Sequence, residues 1–368
     1  MTVKVLMIEQ FLPGSTYTLE LGKELKEWTE LTIFCKRGAA VPVDGIRWSE
    51  GFYEGGKNKG YAMMAYFSGL RKLDREMRGY DVVHVQNFKA AAIEIPFYLH
   101  RKGRCRFFVH TVHNLLPHEA VKRDRKLYRQ FYMACDLLIV HNQHCRRLLI
   151  EEYQIPSEKI CVIPHGAYTM IKKRDKRKQS GTVNFLQFGI FRQYKGIDIL
   201  FQALSLIPKE QRKKIHVTVA GAQFPKLDPT DYFAMAERLG ISEMVTVRCG
   251  HIPDEELDDL FGEADYCLFP YRNIYGSGAL LMAYSYGKPV IVSDIPVFVE
   301  ETEDGRTGAL FTSEDPEDLK KVILQTVNWT KERYLACTDC IRKLVDGKHS
   351  WKNSAKALAE AYQKLWRN

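Results

Sequence analysis

Residues 265–293 read DYCLFPYRNIYGSGALLMAYSYGKPVIVS, and strand, turn and helix patterns follow one another within them. An apolar strand pattern ends at Phe269, a turn follows at Gly276-Ser277-Gly278, and a run with the content of a buried helix leads to a second apolar strand at 289–293. Strands that are apolar at nearly every position indicate a parallel sheet that helices cover on both faces. The stretch therefore predicts one βαβ unit of a doubly wound α/β domain.

The same alternation of strands and helices extends through the chain. Strand patterns lie near residues 3–9, 30–35, 81–85, 105–111 and 136–141, and again near 183–189, 215–221, 244–249, 265–269 and 289–293. A polar segment rich in Lys and Arg, Lys172 to Gly181, separates the two series and predicts an interdomain linker. A chain of 368 residues also exceeds what one hydrophobic core usually serves.

We therefore predict an α/β protein of two Rossmann-like, doubly wound domains that face a central cleft. The first domain would span residues 1–170, and the second would span residues 171–350. The amphipathic helix at 351–368 would pack back onto the first domain.

Composition narrows the class of protein. With 45% hydrophobic and 27% charged residues, the chain has the composition of a folded globular protein. No apolar run approaches the roughly 18 residues that span a bilayer, and the start from Met1 to Ile8 predicts a first strand, being too short for a signal peptide. The nine cysteines are scattered, which is typical of thiols in a reducing compartment, and the pair Cys337 and Cys340 has no second pair to complete a metal site. These features predict a cytoplasmic protein.

Positive charge is concentrated in one segment. Residues 101–180 carry 18 Lys and Arg against 7 Asp and Glu, whereas the formal net charge of the whole chain is +9. Such a stretch indicates nucleic acid, an anionic membrane surface or a solvated face. The aromatic residues within it, Tyr128, Phe131 and Tyr132, have helical spacing and favour a core position, and no nucleic-acid motif accompanies them. We expect no nucleic-acid partner.

The turn Gly276-Ser277-Gly278 has the chemistry of an anion site. It lies between a strand and a helix, where the free backbone N–H groups of the first helical turn and the positive end of the helix dipole favour a phosphate. Glycines let a ligand approach the backbone. The alternative is a tight packing turn without a ligand.

A second loop at a strand end adds two cations. The run from Phe188 to Gly196 ends the first strand of the second series and contains Arg192 and Lys195. A guanidinium and an ammonium together can neutralise a diphosphate and stabilise it as a leaving group. The alternative is a pair of solvated surface charges.

Histidines follow a strand of the first series. In the run Val109 to Asn114, His110 lies on the strand and favours a core position, whereas His113 lies at the loop, where catalytic groups occur. The spacing of His110 and His113 lacks the i, i+4 pattern of helical zinc sites, so we expect no metal site. His165, in the run Ile163 to Gly166, either contacts a donor or closes a turn, with the turn favoured.

These motifs occur in a familiar order. They comprise Gly189 to Gly196, Val247 to Leu257, Ser277 to Ile291, Asp304 to Gly308, Thr111 to Asn114 and Ile163 to Gly166. With them the chain resembles glycosyltransferase family 4, whose members have the GT-B fold. The resemblance implies transfer of a sugar from a nucleotide-sugar donor with retention of anomeric configuration, without a cofactor or a required metal ion.

The resemblance also implies roles for individual residues. His113, Arg192 and Lys195 would be the catalytic set, with the two cations on the diphosphate and His113 on the transferred sugar. Donor-binding residues would be Gly276, Ser277, Gly278, Ala279, Leu280, His251 and Ile252. Gly14 and Ser15 would lie near the acceptor.

The chain departs from the family pattern in two places. The family's two glutamates, spaced E-x7-E around the glycine turn, are absent, and Met282 stands where the second, ribose-binding glutamate is expected. The family's arginine usually follows the glycine directly, whereas Ile190 follows Gly189 here and Arg192 comes later. The base of the nucleotide therefore stays open.

Taken together, the sequence predicts a hexosyltransferase in cell-surface polysaccharide synthesis. Its partners would be a nucleotide-sugar donor, a glycan or lipid-linked acceptor and an anionic membrane at the inner face of the plasma membrane. Two alternatives stay open. One is an inverting GT-B transferase or a nucleotide-sugar epimerase, with Glu119 or His113 as base, and the other is a non-catalytic partner subunit of a transferase.

Overall fold

The chain forms two compact units. The computed structural model describes residues 2–12, 14, 16–53, 59–116, 122–168 and 181–367. The first unit comprises Met1–Gly166 with Lys348–Asn368, and the second comprises Ala167–Gly347. Apart from Gly181, the segment expected to be the linker lies outside the described residues.

The first unit is built on a parallel sheet of seven strands. They are β1 (Val3–Ile8), β2 (Thr29–Lys36), β3 (Arg47–Phe52), β4 (Val82–Val85), β5 (Phe107–Thr111), β6 (Leu137–Val140) and β7 (Ile160–Val162), in the order β3-β2-β1-β4-β5-β6-β7. The central strand β1 pairs in parallel with both β2 and β4, so that Val5 lies opposite Leu31 and Val82. All three side chains are at most 1% exposed, as expected of a sheet covered on both faces.

Five helices of this unit precede the second unit in the sequence. They are α1 (Tyr17–Leu25), α2 (Lys59–Glu76), α3 (Ala91–Arg101), α4 (Lys122–Ala134) and α5 (Gln143–Glu151). Local chemistry sets their limits; for example, the Asn142 side chain accepts from the backbone N–H of Cys145 and caps α5. The predicted core positions of Tyr128, Phe131 and Tyr132 on α4 are confirmed, because all three are buried.

The second unit has a parallel sheet of six strands. They are β8 (Val183–Phe188), β9 (Ile215–Gly221), β10 (Val245–Cys249), β11 (Tyr266–Phe269), β12 (Val290–Ser293) and β13 (Gly308–Phe311), in the order β10-β9-β8-β11-β12-β13. Its helices are α6 (Ile197–Ser205), α7 (Lys209–Arg212), α8 (Tyr232–Arg238), α9 (Asp254–Glu263), α10 (Gly278–Ser285), α11 (Pro296–Glu301), α12 (Pro316–Val327) and α13 (Lys331–Asp346). Apolar clusters fill the space between sheet and helices.

The last helix, α14 (Trp351–Arg367), belongs to the first unit although it ends the chain. Its buried face, including Trp351, Leu358 and Tyr362, joins the core formed by β1, β2 and α1. Among the described residues, no helix combines the length and the apolar character that crossing a membrane requires.

In both sheets the strand order reverses beside the first strand. The reversal lies between β1 and β4 in the first unit and between β8 and β11 in the second. In doubly wound folds a ligand binds outside the carboxyl ends of the strands at this point, because the two flanking loops diverge there. The loops that follow β8 and β11 contain Lys195 and the Gly276-Ser277-Gly278 turn.

Candidate functional site

Lys195 is a buried cation in the loop that follows β8. Its residue is 8% exposed, and its Nζ lies 5.1 Å from the centroid of the Tyr271 ring. No carboxylate or hydrogen-bond acceptor among the described residues pairs with that Nζ. Burial lowers the pKa of Lys195 below its ordinary value, Tyr194 opposes that change and Arg192 adds to it. A buried ammonium without a counter-charge is costly, and an anionic ligand would remove the cost.

The structure brings Lys195 close to the start of α10. Gly189, which follows β8, has a φ of +126°, and a Cβ built there would lie 2.5 Å from Nζ of Lys195 and 3.9 Å from Cβ of Ala279. Only glycine adopts this backbone conformation readily and leaves room for the ammonium. Lys195 and Ala279, two predicted site residues that are distant in sequence, therefore both lie next to Gly189.

Ser277 caps helix α10. Its hydroxyl accepts from the backbone N–H of Leu280 at 3.1 Å, and its carbonyl accepts from the N–H of Leu281 at 3.2 Å. The N–H group of Leu280 is therefore already satisfied. Among the described residues no acceptor pairs with the N–H groups of Gly278 and Ala279, so these two are the donors that the first turn offers to a ligand.

The two glycines of the turn differ in their surroundings. A Cβ at Gly276 would meet no atom within 4 Å, whereas a Cβ at Gly278 would lie 2.8 Å from the hydroxyl of Tyr168. Tyr168 is fixed by its backbone N–H, which donates to the Ser285 hydroxyl at 2.8 Å. Gly278 thus permits close packing against Tyr168, and Gly276 leaves open space beside the helix terminus.

Arg272 ties the Lys195 loop to the end of β11, a role that the sequence did not predict. Its guanidinium makes two hydrogen bonds to Asp198, at 2.9 and 2.6 Å, and donates to the carbonyl of Gln193 at 2.6 Å. Its backbone N–H also donates to the carbonyl of Tyr194 at 2.8 Å. A two-point ion pair of this kind holds a loop in one geometry. The run that ends at Arg272 was visible in the sequence, but its partners were not.

The remaining residues predicted in the second unit lie at the same edge of its sheet. Arg192 is half-buried, and its carbonyl accepts from the N–H of Lys195 at 2.9 Å, which closes the loop. After β10, His251 is exposed and Ile252 is 9% exposed within an apolar cluster. Met282 packs against that cluster, so an apolar contact stands where the resemblance implies a carboxylate.

In the first unit, His113 follows β5 and is held by other side chains. Its Nε2 lies 3.2 Å from the Gln86 side-chain amide, and its Nδ1 lies 3.2 Å from Nε2 of His141. The Tyr17 ring packs edge-on against it at 4.7 Å between centroids. Burial, assisted by the neighbouring imidazoles of His141 and His165, lowers the pKa of His113 well below its ordinary value. A neutral imidazole at a strand end can bind a sugar hydroxyl.

The prediction that His110 is a core residue is confirmed. It is 4% exposed, and its Nδ1 lies 2.8 Å from the carbonyl oxygen of Val85. Burial lowers its pKa to about 4. His165, for which a turn was favoured, places its Nδ1 2.6 Å from the carbonyl of Gly166 and packs against the rings of Tyr17 and Trp351.

The predicted acceptor loop follows β1. Gly14 is exposed, and Ser15 lies outside the described residues, as does Glu119. Before Gly14 the buried carboxylate of Glu9 accepts from the N–H of Phe11 and the hydroxyl of Thr18, each at 2.7 Å. Glu9 therefore shapes the start of this loop, a role that no sequence motif had indicated.

All nine cysteines are free thiols. Cys337 is buried and Cys340 is half-buried on α13. Burial raises the pKa of both thiols, which favours the protonated and unreactive form.

Two family models together match residues 14–343. The model described as Glycosyltransferase Family 4 matches residues 14–169, and the model described as Glycosyl transferases group 1 matches residues 170–343. A D-inositol 3-phosphate glycosyltransferase from Corynebacterium aurimucosum is 26% identical over 60% of this chain, and the match spans 58% of that relative. The O-antigen chain mannosyltransferase B of Escherichia coli is 25% identical, and the match covers 95% of each chain.

Solved structures share the architecture. Anabaena HepE, crystallised in complex with UDP and glucose, superposes with a TM-score of 0.75 at 16% identity, over 98% of this chain and 99% of that one. The two parallel sheets and the family matches define a glycosyltransferase of the GT-B fold. Within that class, the chain belongs to glycosyltransferase family 4. The predicted fold class, family and transferase activity are thereby confirmed.

Proposed function

We propose that this protein transfers a hexose from a nucleotide diphosphate donor to a glycan or lipid-linked acceptor, with retention of anomeric configuration. The observation that carries the proposal is the buried ammonium of Lys195, which adjoins Gly189 as Ala279 does, together with the N–H groups of Gly278 and Ala279, none of which has a partner within the described part of the chain. A cation and a helix N-terminus that converge on one point are the means by which proteins bind phosphate.

The same groups serve the chemical step. When the bond between the sugar and the diphosphate breaks, negative charge grows on the leaving phosphate oxygen. We propose that Lys195 and the two amides face that charge, so that they stabilise the transition state without rearranging. In a retaining front-face reaction the leaving diphosphate itself accepts the proton of the acceptor hydroxyl. We propose that Arg192 adds a second cation and that neither a metal ion nor a cofactor is required.

The remaining predicted residues complete the assignment. We propose that the second unit binds the donor, with the segment around His251 and Ile252 near the base. The first unit would bind the acceptor near Gly14 and Ser15, and His113 would contact the transferred sugar. Met282 in place of an acid means that the ribose is held by other groups.

The names of two similar proteins support a role for this enzyme in polysaccharide assembly. One relative is named an O-antigen chain mannosyltransferase, and HepE was crystallised with UDP and glucose. We propose a nucleotide-sugar donor and a role in polysaccharide assembly on that basis, with the sugar and the base to be identified by experiment.

The decisive experiment is a transfer and donor-hydrolysis screen over nucleotide-sugars, made on wild-type protein and Lys195→Ala. Loss of one preorganised charge contact typically costs about 100-fold or more in turnover, and we expect that loss for Lys195→Ala. Lys209→Ala is the matched control, because Lys209 is exposed on α7. Equal turnover in Lys195→Ala and wild type would remove the proposed role of Lys195.

Two further measurements test the mechanism and the alternatives. The anomeric configuration of the product, read by NMR, should match that of the donor, and inversion would favour a base-assisted transferase. A chelator should leave turnover unchanged. If calorimetry showed no binding of any nucleotide diphosphate at millimolar concentration, a non-catalytic partner subunit would be the better assignment.

We also propose that the first unit binds an anionic membrane that displays the acceptor. Helix α2 presents four exposed apolar side chains, Tyr61, Met63, Met64 and Phe67, and the exposed Arg71 and Arg75 follow on the same helix. Apolar insertion combined with basic charge is the pattern of surface-bound helices. Co-sedimentation with anionic liposomes should fall as salt rises. Absence of binding at low salt would contradict this part of the proposal.

A further inference from the structure

His141 links His113 to the backbone of the first unit. It follows β6, and its Nδ1 lies 3.0 Å from the carbonyl oxygen of Ile163, which follows β7. Its other nitrogen, Nε2, lies 3.2 Å from Nδ1 of His113. Both histidine rings pack against Tyr17, with centroids 4.7 and 5.3 Å from that ring, so neither imidazole turns freely.

These contacts determine where the protons lie. A carbonyl oxygen only accepts, so Nδ1 of His141 carries a proton, and Nε2 of a neutral His141 is then an acceptor. His113 must therefore donate from its own Nδ1. Since the lowered pKa of His113 keeps this side chain neutral, its Nε2 is left without a proton.

The partner on the other side of His113 accommodates this arrangement. In the structure Oε1 of Gln86 lies 3.2 Å from Nε2 of His113, and Nε2 of Gln86 lies 3.3 Å from Nε2 of His84. The oxygen and nitrogen of an amide are assigned from the hydrogen-bond network. A bare Nε2 on His113 requires the amide nitrogen on that side and places the amide oxygen toward His84. The Tyr362 hydroxyl, 2.5 Å from Nδ1 of His84, then donates to it, and Nε2 of His84 carries the proton.

We propose that His141 is a positioning residue that fixes His113 as the Nδ1–H tautomer, so that Nε2 of His113 accepts a hydrogen bond from a hydroxyl of the bound sugar. The proposal rests on the proposed function for the identity of the ligand. The tautomer itself follows from the Ile163–His141–His113 contacts and the neutral state of His113, and it does not depend on the ligand. The opposite arrangement, with a proton on Nε2 of His113, needs either a cationic His141 or two lone pairs facing each other at 3.2 Å.

The test reads the protons directly and needs no activity. Side-chain nitrogen NMR of histidine-labelled full-length protein distinguishes Nδ1–H from Nε2–H, and the His113→Gln spectrum identifies the signal. We expect Nδ1–H in wild type and in His141→Gln, whose amide oxygen can still accept from His113. In His141→Leu the acceptor is absent, and we expect His113 to move toward the Nε2–H tautomer.

Controls separate positioning from folding. His100→Leu changes an exposed histidine on α3, so it should leave the signal of His113 unchanged. A proton on Nε2 of His113 in wild type, two protons on His141, or an unchanged tautomer in His141→Leu would each overturn the proposal. If His141→Leu does not fold, the wild-type and His141→Gln spectra still decide it.

A kinetic comparison connects the tautomer with transfer. Under the proposed function, misplacing His113 should lower turnover of His141→Leu on the order of 10- to 100-fold, with recovery in His141→Gln. Equal turnover in the two variants would contradict a positioning role. Inactivity of wild type toward every nucleotide-sugar would instead contradict the proposed function and leave the NMR result standing.

Discussion

Single residues decide whether the second unit can hold an anion. Lys195 is buried without a counter-ion among the described residues, and Gly189 leaves the space that its ammonium occupies. Lys195 was a candidate phosphate contact from the sequence because it lies with Arg192 in a loop between a strand and a helix, and that role stays a prediction. The sequence did not predict Arg272 or His141, because their partners lie on a helix and in loops elsewhere in the chain, and only the sheet order brings them together.

The pH dependence of the reaction should report the state of Lys195. Burial lowers the pKa of its ammonium below the ordinary value of 10.5, so the free enzyme loses that charge at a lower pH than an exposed lysine would. We expect kcat/KM to fall as the pH rises through the lowered pKa. Bound diphosphate favours the ammonium, so the corresponding fall in kcat should occur at a higher pH.

Lys195→Arg is the matched variant for this measurement. Guanidinium stays protonated throughout the range, so the alkaline fall of both parameters should disappear even though turnover is lower. Two results would assign the titration to a group other than Lys195. One is that the pH profiles of kcat and kcat/KM coincide in wild type, and the other is that the alkaline fall is unchanged in Lys195→Arg.

At the scale of elements, two variants at the start of α10 distinguish an effect on the stability of the protein from an effect on ligand affinity. Ser277 caps the helix through the N–H of Leu280, and loss of such a cap costs about 1 kcal/mol. Ser277→Ala should therefore lower the midpoint of thermal unfolding by about 2–4 °C. Ser277→Asp keeps an acceptor in place and should retain the wild-type midpoint.

The same pair of variants should differ in ligand affinity. The added carboxylate of Ser277→Asp lies where the diphosphate is proposed to bind, so repulsion should weaken binding of a nucleoside diphosphate in calorimetry. Ser277→Ala should bind more tightly than Ser277→Asp although it is less stable. Equal affinities in the two variants would place the diphosphate away from this helix terminus.

The contacts of Arg272, which we call the clamp, join the end of β11 to the loop that contains Lys195 and to α6, and they fix the geometry of that loop. Arg272, at the end of β11, holds the Lys195 loop through Asp198 and the carbonyl of Gln193. We expect Arg272→Met to lower kcat on the order of 10-fold or more, because Lys195 is no longer held in position. Arg342→Met is the control, since the one ion-pair partner of Arg342 in the described ranges is the exposed Asp339 on α13. Equal kcat in both variants would show that the loop keeps its geometry without the clamp.

The elements themselves were largely predictable from apolar runs. Ten predicted strands have counterparts in the structure, with limits that differ by at most two residues. Three strands were missed: β3, which lies at a sheet edge and is partly exposed, β7, which has three residues, and β13, which begins at the predicted turn Asp304 to Gly308. Edge and short strands lack the continuous apolar pattern, because fewer of their side chains are covered.

At the scale of the whole molecule, the order of segments along the chain does not match the unit to which each segment belongs. Helix α14 ends the chain but packs in the core of the first unit, whereas the second unit is one continuous segment. The amphipathic pattern of this helix predicted that one of its faces would be buried against a core. Each unit has its own apolar core, so a core substitution in one unit should act mainly on that unit.

Substitutions of two tryptophans, one in each core, and the binding of a nucleoside diphosphate test whether the two units are stabilised independently. Trp351 is 6% exposed in the first core, and truncation of a buried tryptophan costs about 3–5 kcal/mol. Trp329 is half-buried against Tyr266 in the second core, with ring centroids 5.7 Å apart, so Trp329→Ala should cost less. Under the proposed function, a nucleoside diphosphate at 100 times its Kd adds about 2.7 kcal/mol to the state that binds it.

Hydrogen exchange read by mass spectrometry assigns each effect to a unit. Trp351→Ala should speed exchange in β1 and β4, Trp329→Ala should speed exchange in β8 and β11, and the nucleotide should slow exchange in β8 and β11. Because the cores share no residues, the effect of Trp351→Ala on β8 and β11 should be small. Equal acceleration of both sheets by Trp351→Ala would mean that the two cores unfold as one cooperative unit.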